Sequence, residues 1–227
     1  MGAIAPGEDS ADFPRYIHRD ARPKDTMKPE DVVATYDREG PAWAQTRDRR
    51  LLERPWLDRA LAIAPHPQGR RRVLDLGCGA GRPIAEYLID RGCLVTGVDA
   101  SRQMIELFAR VVPRAVALHA DMRTLKLSQD FDLVVAWDSF FHLSPDDQRT
   151  TFGVFQAHTA RGGVLLFTAG PQAGEPIGTI GESPLYHASL DPEEYRALFE
   201  QHGFAELGYW PEEPACGGRT IWMARRV

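Results

Sequence analysis

The sequence predicts an open, doubly wound α/β sheet, largely parallel, with helices on both faces and an antiparallel hairpin at one edge. Three observations carry this. From Arg71 onward short β-type runs alternate with helical segments, the pattern of right-handed crossovers between parallel strands. The first β run ends in "GCGAG", three glycines within five positions, which is where the ligand crevice of such a sheet begins. The last two β runs, within "FAELGYWPEEPACGGRTIWMARRV", are joined by a Pro/Gly turn with no helix between them.

Taken in order, residues 1–28 are rich in Pro, Gly and charge without a period and read as an N-terminal extension. Between 29 and 66 the apolar residues Val32, Val33, Tyr36, Trp43, Leu51, Leu52, Trp56, Leu57 and Leu61 predict two or three amphipathic helices, a helical cap on the domain spanning 29–227. "RRVLDL" is the first strand, and "RPIAEYLIDRG" follows as a helix with Gly92 as its stop. "CLVTGVD" is the second strand and "SRQMIELFARVV" the next helix. "RAVALHAD" and "FDLVVAW" are the third and fourth strands. In "SPDDQRTTFGVFQAHTA", Ser144 is placed to cap a helix, Pro145 takes its first position and Asp147 sits three beyond the cap. "GGVLLFTAG" is the fifth strand. "DPEEYRALFEQHG" repeats the start signal, with Asp191 as cap and Glu194 closing a capping box. Between them lies 170–190, a long irregular segment on the ligand-binding edge. Its four glycines (170, 174, 178, 181) and three prolines (171, 176, 184) suggest a lid closing together with the helices around Tyr36 and Trp43.

Bulk properties narrow the function. The chain has 227 residues, a hydrophobic fraction of 43% and a net charge of −5, which suits one globular domain and argues against a dedicated nucleic-acid binder. The basic clusters near 47–54 and 68–73 are read as solvated faces. The three cysteines, Cys78, Cys93 and Cys216, form no CxxC pair, so the expectation is no disulfide framework, no metal and a cytoplasmic location. The N-terminus lacks a signal-peptide core, Pro6 stands where a myristoylation site wants Ser or Thr, and no apolar run reaches membrane-spanning length.

The glycine loop selects among cofactors. Gly77, Gly79 and Gly81 are spaced G-x-G-x-G, and Arg82 stands where a dinucleotide fingerprint wants its third glycine. No Gly-Lys-Ser/Thr follows, so a P-loop is excluded. With its continuation, "VLDLGCGAGRP" resembles the first motif of the class I S-adenosylmethionine-dependent methyltransferases. "LVTGVDAS", "HADM", "FDLVVAWDSFFHL" and "RGGVLLFTAG" are similar to that family's later motifs, and the closing hairpin suits its seventh, antiparallel strand. The resemblance implies a Rossmann-like seven-stranded sheet, S-adenosylmethionine as cofactor and a small-molecule acceptor. The alternative is a non-catalytic protein that binds S-adenosylmethionine or S-adenosylhomocysteine.

The resemblance distributes roles over this chain's residues. Asp99, ending the second strand 22 positions after Gly77, would take the ribose hydroxyls, with Ala100 beside it; Asp121 would meet the adenine amino group. Met104 and Met122 would flank the adenine ring or fill the core. Gly77, Cys78, Gly79 and Gly81 would let backbone approach the cofactor, Cys78 packing rather than reacting. The helix start after Gly81 would favour the cofactor's carboxylate. Asp75 either senses the cofactor or bonds loop amides. The carbonyls of Gly77 and Trp137 are candidates for the cofactor's amino group. No catalytic residue is assigned. His142 is a candidate base or a satisfied core histidine, and Asp138 faces substrate or caps the following segment. Tyr36, Trp43, Phe141, His142, Tyr186 and His187 are candidates for acceptor contact. Oligomeric state stays open.

Overall fold

The computed structural model describes residues 27–66 and 69–227; the expected extension lies, up to residue 26, outside the described residues. Two helices come first, α1 (Val32–Thr46) and α2 (Arg54–Ile63). Then follow β1 (Arg72–Leu76), α3 (Ile84–Asp90), β2 (Leu94–Asp99), α4 (Arg102–Val111), β3 (Val116–His119) and β4 (Phe131–Ala136). The chain continues through α5 (Pro145–His158), β5 (Thr159–Ala169), β6 (Ile177–Ile180), β7 (Ser183–Tyr186), α6 (Pro192–Gln201), β8 (Phe204–Glu213) and β9 (Arg219–Arg226).

Seven strands form one sheet in the order β3-β2-β1-β4-β5-β9-β8. β1 to β5 pair in parallel, whereas β9 runs antiparallel to both β5 and β8. The order reverses between β1 and β4, which puts the ligand crevice beyond their carboxyl ends. Alternation along β1 explains the two faces. Val73 joins the core under α2 and α3, while Leu74 and Leu76 join an aromatic core of Phe140, Phe152, Phe155, Phe167 and Trp222 under α5 and α6.

The two Pro-initiated helices divide on their caps. Ser144 Oγ accepts the Asp147 amide as expected. Asp191 caps through the Glu193 amide, but Glu194 closes no capping box: its carboxylate is drawn to Arg149 on α5. A larger correction concerns 170–190. The segment is not irregular throughout, because β6 and β7 form an antiparallel hairpin turning at Gly181, where φ is +57°. Its own small core joins Ile180, Leu185 and Tyr186 to Val32 of α1, with Tyr36 and Trp43 packed against it. Glycine and proline at alternate positions hid the strand period from the sequence.

Candidate active site

The crevice is built by backbone stitching at the strand ends. The amides of Gly77 and Cys78 both bond the Val98 carbonyl, tying the glycine loop to the end of β2. Asp99 then holds both sides: Oδ2 accepts the Gly79 amide and Oδ1 the Ser101 amide, each at 2.9 Å. Ser101 caps α4 through the Met104 amide and donates to Asp37 Oδ1 at 2.6 Å, which anchors α1 across the crevice. From the far side, Ser139 Oγ donates to the Leu76 carbonyl at 2.7 Å.

Two cavities meet under α1. The first is lined by Gly77, Gly79, Asp99, Ala100, Asp121, Met122 and Trp137 among others. The second, about 1130 Å³, lies under the segment 168–176 and takes in Phe141, His187, Tyr209 and Arg219. Tyr36, Trp43, Arg47, Asp138 and His142 line both, so they form the junction.

Four expected cofactor residues lie behind that lining. Met104 is 1% exposed, and its sulfur sits where a Cβ on Gly40 of α1 would fall, so the thioether fills the α1–α4 contact. Gly81 is glycine because a Cβ would lie 2.6 Å from Val112 and 2.9 Å from Phe108. Cys78 is buried, and burial raises its thiol well above the usual range, which leaves it an inert packing group. The first cavity's lining passes directly from Gly79 to Val98, so the start of α3 also stands back from it. Asp75 bonds no loop amide; its carboxylate has no hydrogen bond among the described residues, and burial pushes it up to about 7. On the acceptor side, Tyr186 is withdrawn. Its ring is in the hairpin core and its hydroxyl donates to Glu175.

The junction is strongly polar. Asp138, at φ +49°, takes a two-pronged bond from Arg219, Nε at 2.8 Å and Nη2 at 2.7 Å. Burial opposes ionisation there, but the Arg219 guanidinium outweighs it and holds the carboxyl below its ordinary value. Asp138 is therefore no cap for the next turn. Arg47 lies 3.8 Å from both Asp138 and Glu53 and stacks over Trp43. His142 is bonded at both nitrogens, and burial lowers it to about 4. Arg47, Arg219, Ser139 and Asp37 escaped the sequence reading. Each acts on a partner distant in sequence, and no local motif marks them.

The cleft offers open space and a carboxylate acceptor for the sugar of a nucleoside-type cofactor. Gly79 has φ +55°, and an added Cβ would meet only Met104 Cε, at 3.4 Å, so the space in front of it is unfilled by protein. An ionised carboxylate offers about four lone-pair sites. Asp99 spends two on amides, which leaves capacity for a diol. Asp121 lines the same cavity, although Arg123 folds back onto both its oxygens.

Fold and site thus define a doubly wound domain built to hold a nucleoside-type cofactor beside a second, larger cavity. Comparison with known proteins makes this specific. A family model described as a methyltransferase domain matches residues 73–163. Malonyl-[acyl-carrier protein] O-methyltransferase of Enterobacter lignolyticus is 34% identical over 140 residues, covering 60% of this chain and 52% of that protein. The chain spans about half the length of the curated relatives it matches. Among solved structures, magnesium protoporphyrin IX methyltransferase of Synechocystis superposes with a TM-score of 0.67 at 16% identity, covering 88% of this chain and 99% of the other. The 1,6-didemethyltoxoflavin N1-methyltransferase of Burkholderia thailandensis gives 0.64 at 20% identity, covering 88% and 87%. Residues 73–163 thus match a methyltransferase domain, and the chain shares the fold of these S-adenosylmethionine-dependent methyltransferases.

Proposed function

We propose that this protein transfers a methyl group from S-adenosylmethionine to a small-molecule acceptor. The observation that carries the reading is the junction: the cofactor-side cavity and the large second cavity share Tyr36, Trp43, Arg47, Asp138 and His142. A protein that only binds the cofactor has no need of the second space, which residues 168–176 help to line.

When bound, the cofactor supplies a methyl group made electrophilic by its sulfonium. The protein's part is to hold. Asp99 takes the ribose hydroxyls, Asp121 and Met122 border the base, and the backbone at Gly77 and Trp137 meets the amino-acid end. Acceleration then comes mainly from fixing the acceptor about 3 Å from the methyl carbon along the transfer axis. His142 is a poor free base, since Tyr36 occupies its Nε2 and burial holds it neutral. The acidic net charge of −5 supports a small acceptor over nucleic acid, and the three buried free thiols support a reducing, cytoplasmic setting. No helix among the described residues is long and apolar enough to cross a membrane.

The test is methyl transfer from labelled S-adenosylmethionine into a metabolite extract, with the product identified by mass. Labelled product establishes the reading. Tight cofactor binding with no product from any fraction would instead favour a cofactor-binding protein without chemistry. Tight nicotinamide binding in a parallel titration would overturn the cofactor assignment.

A further inference from the structure

Tyr36 and His142 approach the cavity junction from opposite sides, one on α1 and the other on the single turn Phe140–His142. The Tyr36 hydroxyl lies 3.0 Å from His142 Nε2, with the rings edge-on at 5.5 Å. The other ring nitrogen, Nδ1, lies 2.9 Å from the Tyr186 carbonyl oxygen. A carbonyl can only accept, so Nδ1 carries the hydrogen. A neutral imidazole has one N–H, so Nε2 presents a lone pair and the Tyr36 hydroxyl must donate into it. Burial pushes the imidazole down to about 4, despite the Tyr186 carbonyl and the Asp138 carboxylate, so this arrangement holds throughout the neutral range.

The consequence falls on Tyr36. Its one proton is committed to His142, so its oxygen offers the junction lone pairs only: it can receive a hydrogen bond and cannot give one. The surrounding charge has the same preference. Beyond the Asp138–Arg219 pair, the described wall of the acceptor cavity carries Asp48, paired with Arg50, and Glu53, Glu175 and Glu212 against Arg47.

Resting on the methyl-transfer reading above, we propose that Tyr36 sets the acceptor class, admitting a nucleophile that carries its own hydrogen, an amine nitrogen or a hydroxyl oxygen, and turning away carboxylates. His142 acts through Tyr36 as a positioning residue. Neither role was visible in the sequence, where both residues stood as separate contacts.

The experiment uses the full chain saturated with S-adenosylhomocysteine, which blocks transfer, and three matched probes: benzylamine, benzyl alcohol and benzoate. Calorimetry should show benzylamine, cationic at neutral pH, or the uncharged benzyl alcohol binding at least tenfold more tightly than benzoate. Tyr36→Phe should weaken the two donors about tenfold, the loss of one hydrogen bond, while leaving benzoate unchanged. An independent readout is the nitrogen NMR of His142, which should show a protonated Nδ1 and an Nε2 whose shift moves in Tyr36→Phe. Benzoate binding as tightly as the donors would overturn the proposal. So would equal weakening of all three probes by Tyr36→Phe, a proton found on Nε2, or no donor binding at millimolar concentration. Failure of S-adenosylhomocysteine itself to bind is a different result: it removes the methyl-transfer reading, and this proposal with it.

Discussion

Asp75→Asn isolates one buried charge. Asp75 is the penultimate residue of β1, 3% exposed, on the strand face that packs toward α2 and α3. Burial raises its carboxyl from 3.8 to about 7, with Asp99 and Glu53 adding to the rise and Arg47 opposing it. The native state therefore keeps this proton up to about pH 7, whereas the unfolded chain releases it near 3.8. Between those values the native state holds more protons, so the residue's contribution to stability falls as pH rises. The cost is absent below the unfolded value and complete above about pH 7. A shift of about three pH units at 1.36 kcal/mol each makes the full cost about 4 kcal/mol, of which about 2–3 kcal/mol develops between pH 5 and pH 8. Asparagine has nearly the same shape and no charge. Urea denaturation of both ligand-free proteins at pH 5 and pH 8 reads the effect, and taking the difference between pH values cancels any pH-independent cost of the amide. The expected result is an Asn variant that gains about 2–3 kcal/mol over the native protein on going from pH 5 to pH 8. Parallel pH dependences for the two proteins would refute the reasoning.

Asp99→Ala should weaken S-adenosylmethionine binding by about 1–3 kcal/mol in a folded protein, the scale for hydrogen-bonding groups left unpaired; unchanged affinity by calorimetry sinks the ribose assignment. Gly77 and Gly79 should part company. A Cβ on Gly77 lies 2.2 Å from Ser139 Cβ, so Gly77→Ala should lower the melting temperature outright, whereas Gly79→Val, strained at φ +55° but with only Met104 Cε in reach, should lower it less and lose the cofactor. Cofactor binding retained by Gly79→Val would move the site elsewhere. Shortening the segment between Gly174 and Gly181 should cut methyl transfer far more than cofactor affinity. Hydrogen exchange near Tyr36 and Tyr186 should slow when cofactor and acceptor are added; no change in either place would refute closure of the hairpin over the acceptor.

The parallel layers were legible because each signal was local. β1 to β5 are short apolar runs bounded by glycine or a capped helix, and Ser144 and Asp191 announce their helices within one turn. The antiparallel β8–β9 hairpin was readable for the same reason, since a turn between two β runs is a neighbour effect. β6 and β7 were not. Gly178 and Pro184 interrupt the alternation, and Gly178 stays bare because a Cβ there would lie 2.5 Å from the His187 ring, a contact that no window of sequence displays.

The site divides along the same line, and the division has a physical origin. Gly77, Gly79, Asp99, Ala100, Asp121, Met122 and Trp137 reach the cavity because strand ends in a parallel sheet converge there, so their positions follow from topology once the strands are placed. The acceptor half has no such rule. Its junction joins α1 to a turn after β4, and the Asp138–Arg219 pair spans 81 positions. What lets those parts meet is the cover. Asp37 fastens α1 to α4 at Ser101, Glu39 fastens it to the hairpin at Ser183, and Val32 enters the hairpin's core. One helix is thus tied to α4 through Asp37 and to the hairpin through Val32, Arg38 and Glu39, and its Tyr36 lines both cavities.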